Sequence, residues 1–417
     1  MTGVQTCALP ICITRGVQKA YPGKYLLLGT NNDLLIDEIG LLYLPTRYGG
    51  CLELVYDQDT TVDIFKEALC NKKIITTSEE WNNNNQRTTY LMDFNSYERN
   101  QDINNINKYY HGWIYLKSNK NVNISIKFYQ EASSEKEPWS CPWFPYQDNG
   151  NYNLYDSIKL NSAPEDGCLI KYDRAFNKRE NNGARQCEID FGHSDLRGNV
   201  DNWEGHCDIA TKVSIFENKP TTDTVIHTDD GDEIFNEKDK MGLLVALYHY
   251  MPNDSNWTSG ISDELSPEKW HRIVENMIYF RRQAIGCDID SSKKVWNYPL
   301  YEYLAFYNQE SIQSIFDNEV TVIMNTWIKR NMGNESKRYK YKYSYNPETC
   351  LPDISKNSNS WIDYRSDSDQ DDPDFYRPDS VWTPIALTEE LFNDNSRWID
   401  NSGNKVLDYK SVLTIFP

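Results

Sequence analysis

Cys207 stands in the stretch Asn202-Trp203-Glu204-Gly205-His206-Cys207-Asp208-Ile209-Ala210. Apolar residues recur after it at Ile209, Ala210, Val213 and Phe216, a step of three or four that predicts one face of a helix. A thiol at a helix start lies beside unsatisfied backbone N–H groups and the positive end of the dipole. Both favour the thiolate, which is the nucleophile. Asp208 acts the other way, because an adjacent negative charge raises a thiol's pKa. The competing structural reading is a buried cysteine packed beside a tryptophan.

A cysteine nucleophile needs a base, and the base needs a group that orients it. Ser266-Pro267-Glu268-Lys269-Trp270-His271 offers the base. Ser266 suits an N-cap and Pro267 the first helical position. Trp270, Ile273, Val274, Met277 and Ile278 form a helical stripe, with His271 beside it. A lone histidine on such a helix also fits a structural role. Gly286-Cys287-Asp288-Ile289-Asp290 offers the acidic partner at a strand end, either Asp288 or Asp290. Cysteine, histidine and carboxylate together perform acyl transfer. The thiolate attacks an amide carbonyl, an acyl-enzyme forms, and the imidazolium protonates the leaving nitrogen. Water as second nucleophile gives hydrolysis and an amine gives a transferase.

The elements that must position these groups fall into two compositions. Residues 13–130 read as a β-sandwich-like accessory domain. Leu52 to Tyr56, Gly112 to Leu116 and Val122 to Phe128 are strand-like runs, the last two predicted to form a hairpin around Ser118 to Asn121. Residues 131–138 are charged and read as a linker. Residues 139–390 would hold the catalytic groups, opening with the proline- and aromatic-rich Trp139-Ser-Cys-Pro-Trp-Phe-Pro145 as an extended segment. Lys171 to Phe176 and Met241 to Tyr250 read as helices. Glu319 to Trp327 and Arg338 to Tyr345 read as antiparallel strands. Residues 391–417 read as a C-terminal tail packed on this domain. Residues 1–12, MTGVQTCALPIC, resemble a translated sequencing adapter, a contaminant of metagenomic assemblies, so the native N-terminus is expected to be missing.

A formal net charge of −19 over 417 residues argues against nucleic acid or an anionic membrane as partner. No apolar run is long enough to span a bilayer. The 10 cysteines show no Cys-x-x-Cys spacing, so no structural zinc site is expected. Sequons at Asn123, Asn253, Asn256 and Asn334, with the spaced cysteines, lean toward a secreted glycoprotein. Asp367, Asp369, Asp371, Asp372 and Asp374 crowd one loop. They lack the glycine and glutamate of an EF-hand, which leaves a solvated turn as the preferred reading and calcium as a possible ligand.

The motifs also carry a resemblance. Val295-Trp296-Asn297-x-Pro299 resembles the core of the elicitor segment of the Phytophthora transglutaminase elicitor family. Trp203-x-Gly205-x-Cys207 resembles its active-site cysteine motif, and Trp270-His271 with Asn276 its histidine helix. Trp361-Ile362, Asp372-Pro373-Asp374-Phe375 and Trp382-x-Pro384 resemble its C-terminal signature, and Trp139 to Pro145 with Lys171-Tyr172 its opening segment. The likeness runs in order from about Trp139 to Pro384. It implies an α+β fold with a papain-like catalytic domain. It implies protein-glutamine γ-glutamyltransfer through a thioester, with no cofactor required. Cys207 would be the nucleophile, His271 the general base and acid, and Asp288 or Asp290 the orienting acid. Trp203, Gly205, Trp296 and Asn297 would bind substrate, with glutamine-containing proteins and lysine amines as partners. A cysteine protease or amidase, or a non-enzymatic adhesive protein, are the alternatives. Asp208 and Ile209 depart from the aromatic and alanines that follow the cysteine in that family, and this favours the last of them.

Overall fold

The computed structural model describes residues 25–28, 32–36, 39–43, 50–57, 62–65, 73–74, 78–81, 86–92, 113–118, 122–146, 167–176, 183–191, 201, 204–249, 256–259, 265–289, 294–308, 314, 317–330, 333–346, 351–356, 359–364, 375–390 and 406–416. Strands β1 (Tyr25–Leu28), β2 (Asn32–Ile36), β3 (Ile39–Tyr43), β4 (Cys51–Asp57), β5 (Val62–Phe65), β6 (Lys73–Ile74), β7 (Ser78–Trp81), β8 (Gln86–Met92), β9 (Trp113–Ser118) and β10 (Val122–Ser133) come first. Helices α1 (Cys168–Ala175), α2 (Ala184–Phe191) and α3 (Cys207–Phe216) follow, then the ribbon β11 (Thr224–Thr228) and β12 (Gly231–Phe235), and helix α4 (Glu237–Tyr248). The chain continues through β13 (Asn256–Ser259) and α5 (Pro267–Val274), which widens into a π-helical turn at Glu275–Phe280. Strands β14 (Ile285–Asp288), β15 (Asn297–Asn308), β16 (Glu319–Arg330), β17 (Gly333–Ser344), β18 (Ser360–Trp361) and β19 (Ser380–Thr383) precede helix α6 (Tyr409–Leu413).

Helices and one large, mostly antiparallel sheet make this an α+β fold. That sheet has 12 strands and runs β13-β19-β14-β15-β10-β4-β8-β7, with β16, β17 and β18 continuing from β15 and β2 paired to β10. A five-stranded sheet runs β1-β3-β9-β5-β6. Strand β10 is the joint. Ile124 to Tyr129 pair with β4, and Phe128 to Ser133 pair with β15. The stretch 131–138, expected as a linker, is therefore ladder as far as Ser133. Alternation in Val122-Asn-Ile-Ser-Ile-Lys-Phe128 continues past the charged residues because Gln130 and Ala132 also face the core. The hairpin expected between β9 and β10 does not form. β9 pairs with β3 and β5, and β10 crosses to the other sheet.

Two large cores form among the described residues, one on a face of the large sheet and one among the helices. One face holds Leu54, Phe128, Tyr303, Tyr307, Tyr341 and the α5 stripe Trp270, Val274 and Met277. Val62 and Leu116 of the five-stranded sheet join that cluster. The helices build a second core from Leu169, Val213, Leu244 and Tyr248, closed by Leu407, Val412 and Ile415 near the C-terminus. Each fully buried side chain of this size contributes about 1.5–3 kcal/mol of transfer free energy. Helix α4 starts on a capping box in which Asn236 and Asp239 satisfy each other's backbone N–H.

Candidate active site

Helix α3 begins at Cys207, where the apolar stepping placed it. His206 is the N-cap and supplies no side-chain cap to the first-turn N–H groups. The start of the helix is held from above by the segment Trp139 to Tyr146. The His206 N–H donates to the Trp143 carbonyl at 2.7 Å, and the Tyr146 N–H to the Glu204 carbonyl at 3.0 Å. Gly205 makes this approach possible, because a Cβ there would stand 2.5 Å from the Trp143 ring. From below, the Thr211 hydroxyl meets the Cys207 carbonyl at 2.8 Å and the Asn297 carbonyl at 3.1 Å, tying the first turn to β15.

Cys207 is a half-buried free thiol. Its Sγ donates toward the Val295 carbonyl at 3.7 Å and receives the Asn297 Nδ2 at 3.8 Å, a contact whose orientation is fixed elsewhere. The Trp382 indole N–H donates to the Asn297 Oδ1 at 2.9 Å, so the amide's nitrogen end must face the sulfur. Trp382 in turn lies flat over Gly286 of the neighbouring strand. A Cβ at Gly286 would fall 2.1 Å from the indole. The cleft above the sulfur is lined by Trp139, Cys141, Trp143, Ser214, Pro299 and Lys329. Trp296 meets Trp143 edge to face at 5.6 Å between ring centroids.

Burial pushes the Cys207 thiol up to about 12, with the Asp208 charge adding to it. The two Asn297 hydrogen bonds pull the other way, and the Asp288 charge again raises it. Asp288 stands on the Cys207 side of the sheet, because directly paired cross-strand residues share a face and Asn297 meets the sulfur. It is the cross-strand partner of Asn297 and takes the Trp296 N–H at 3.2 Å.

His271 is not part of this cleft. It lies on α5, fully buried, with Nδ1 2.7 Å from the Tyr341 hydroxyl and Nε2 3.3 Å from that of Tyr307. Its ring packs on Tyr343 at 4.8 Å. Tyr303 and Tyr307 of β15 face this core, whereas Asn297 and Pro299 of the same strand face α3, so the sheet separates imidazole from sulfur. Burial depresses His271 to about 3 and keeps it neutral. The cysteine–histidine–aspartate convergence expected from chain order is corrected accordingly. Asp288 joins Cys207, and His271 joins a tyrosine cluster. The reason lies in the stripe: Trp270 and Val274 turn α5 into the core, and His271 is carried in with them. Asp290, Trp203 and the acidic loop Asp367 to Asp374 lie outside the described residues.

Spacing gave no sign of a second cluster beside the cysteine. Glu188 of α2, His206 and the α4 C-cap His249 bring one ligand atom each to within 4.8 Å of one another. The three are far apart in sequence, and only the fold assembles them. The adjacency of His206 to Cys207 was the one available signal.

No family model matches the chain, and no curated protein matches it. Among solved structures the fold is similar to the crystal structure of the GP42 transglutaminase from Phytophthora sojae. That match has 14% sequence identity and a TM-score of 0.47, and covers 62% of this chain and 84% of that one.

Proposed function

We propose that the Cys207 cleft is a thiol acyl-transfer site of the protein-glutamine γ-glutamyl type, with Cys207 as nucleophile. The observation that carries this reading is the Cys207 sulfur at a helix N-terminus, 3.8 Å from an amide nitrogen that Trp382 holds in orientation. Once the thiol has lost its proton to solvent base, the thiolate attacks the side-chain amide carbon of a glutamine. The first-turn N–H groups and Asn297 Nδ2 are the donors placed to meet the oxyanion. The C–N bond then breaks, ammonia leaves with a proton, and a thioester remains. A lysine amine attacks the thioester, the C–S bond breaks, and the thiol is regenerated. The choice of glutamine and lysine rests on the motif order in the sequence. The aromatic walls suit the aliphatic stems of both.

The raised thiol sets the expected rate. With a pKa of about 12, the thiolate fraction at pH 8 is about one in ten thousand, equivalent to roughly 5 kcal/mol added to the barrier. Slow, base-driven turnover follows. The same observation favours a second reading, a recognition protein that binds peptide side chains in the cleft without turning them over. Incorporation of a labelled primary amine into a glutamine-rich protein, at pH 8 and pH 9.5, separates the two. Product that rises with pH and vanishes in Cys207→Ala supports the transferase. Ammonia release with no amine product points to an amidase. Neither product at either pH leaves the recognition reading.

A further inference from the structure

We infer that Glu188, His206 and His249 form a binding site for one divalent transition-metal ion of the zinc class. The inference goes beyond the acyl-transfer reading and does not rest on it.

Glu188 Oε1 lies 3.9 Å from His206 Nε2 and 3.6 Å from His249 Nδ1. Both separations exceed a hydrogen bond of about 2.7–3.2 Å. Ligands bonded to one tetrahedral zinc at about 2.0–2.1 Å stand about 3.3 Å apart, so the carboxylate would draw in by about half an ångström and the two imidazole nitrogens, within 4.8 Å of each other, by up to about 1.5 Å. Two imidazoles and one carboxylate are borderline donors that suit zinc, and three protein ligands leave a position for water. Glu188 and His206 are almost fully buried, and His249 is only slightly exposed. One ion at the centre would bond to a single atom from each of the three side chains.

The surroundings hold the rings in place. The two imidazoles meet at 4.5 Å with planes 76° apart, and Tyr146 stands edge-on to His206 at 4.7 Å. The residues come from three elements, α2, the N-cap of α3 and the C-cap of α4. An ion would cross-link the helical core at the point where the Cys207 helix begins.

The test uses the full-length protein after chelator treatment. Cobalt(II) is titrated first, because its visible spectrum reports coordination. One equivalent is expected to give a four-coordinate spectrum without the near-ultraviolet thiolate-to-cobalt band. Zinc should displace it and raise the melting temperature by several degrees, as any ligand specific to the folded state does. In His249→Gln the zinc affinity should fall by more than about a hundredfold, since even outer-shell partners are worth about 10–100-fold. Glu188→Gln should behave alike. Circular dichroism verifies that each variant is folded. Should either variant unfold, the wild-type cobalt spectrum still decides. A thiolate band, which would mean ligation by the cysteines, or no binding to the wild type overturns the inference. In the second case the three residues are a buried polar cluster only.

Discussion

The chemistry at Cys207 is decided by its immediate neighbours. Asp208 sits in the first turn of α3, where its charge complements the helix dipole but opposes the thiolate. Iodoacetamide alkylation of the chelator-treated protein should therefore accelerate about tenfold per pH unit from pH 7 to pH 10, with no plateau. A plateau below pH 8 would mean an activated thiol. Asp208→Asn should speed alkylation at pH 8 by about three- to tenfold. Asn297 depends on Trp382, and Trp382 depends on the bare backbone at Gly286. Gly286→Ala is expected to displace the indole and cost about 1–3 kcal/mol by overpacking, read as a lower denaturant midpoint. It should also release the Asn297 amide. Gly286 could not be singled out from sequence, because its role exists only once β14 lies beside β19.

Among the elements, α5 is the most instructive. Its existence, its Pro267 start and its apolar stripe were legible, since each is set by residues a turn apart. Which core that stripe would face was not, because it depends on long-range strand pairing. His271 ends in a network with Tyr307, Tyr341, Gln130 and Glu275, where Gln130 donates to Glu275 at 3.0 Å and accepts from Tyr303. Its folded pKa lies below the unfolded value, so between pH 6.5 and about pH 3 the unfolded chain binds the extra proton. Stability contributed by neutral His271 is complete above pH 6.5 and drains away as pH falls through that window. The loss amounts to roughly 3–5 kcal/mol at its lower end. His271→Asn should flatten the acid limb of an equilibrium unfolding series from pH 7 to pH 4. An unchanged slope would mean that other groups dominate acid sensitivity. The same variant should leave Cys207 alkylation unchanged, because the sheet lies between the two side chains.

At the scale of the molecule, composition had suggested a β region followed by a separate catalytic region. Strand content was readable on both sides of residue 131, but the partner of each strand was not. β10 joins them through the register Phe128 to Ser133 against Glu302 to Tyr307. Leu52, Leu54 and Phe128 also share one core with Tyr303 and Tyr307. A fragment covering residues 139–417 would leave the inner edge of β15 without its ladder and strip eight buried residues, Leu52 to Ala132, from that core. It should be aggregation-prone, with no cooperative thermal transition by circular dichroism. A sharp, reversible melt for the fragment would show that the C-terminal part folds alone.

The roof over the thiol has an optical consequence. Trp139 and Trp143 line the recess, and Trp296 stands against Trp143. Indole emission is sensitive to local polarity and to quenchers. A guest settling beside Cys207 would thus change the protein's intrinsic fluorescence, and candidate peptides and amines can be screened against the unlabelled chain.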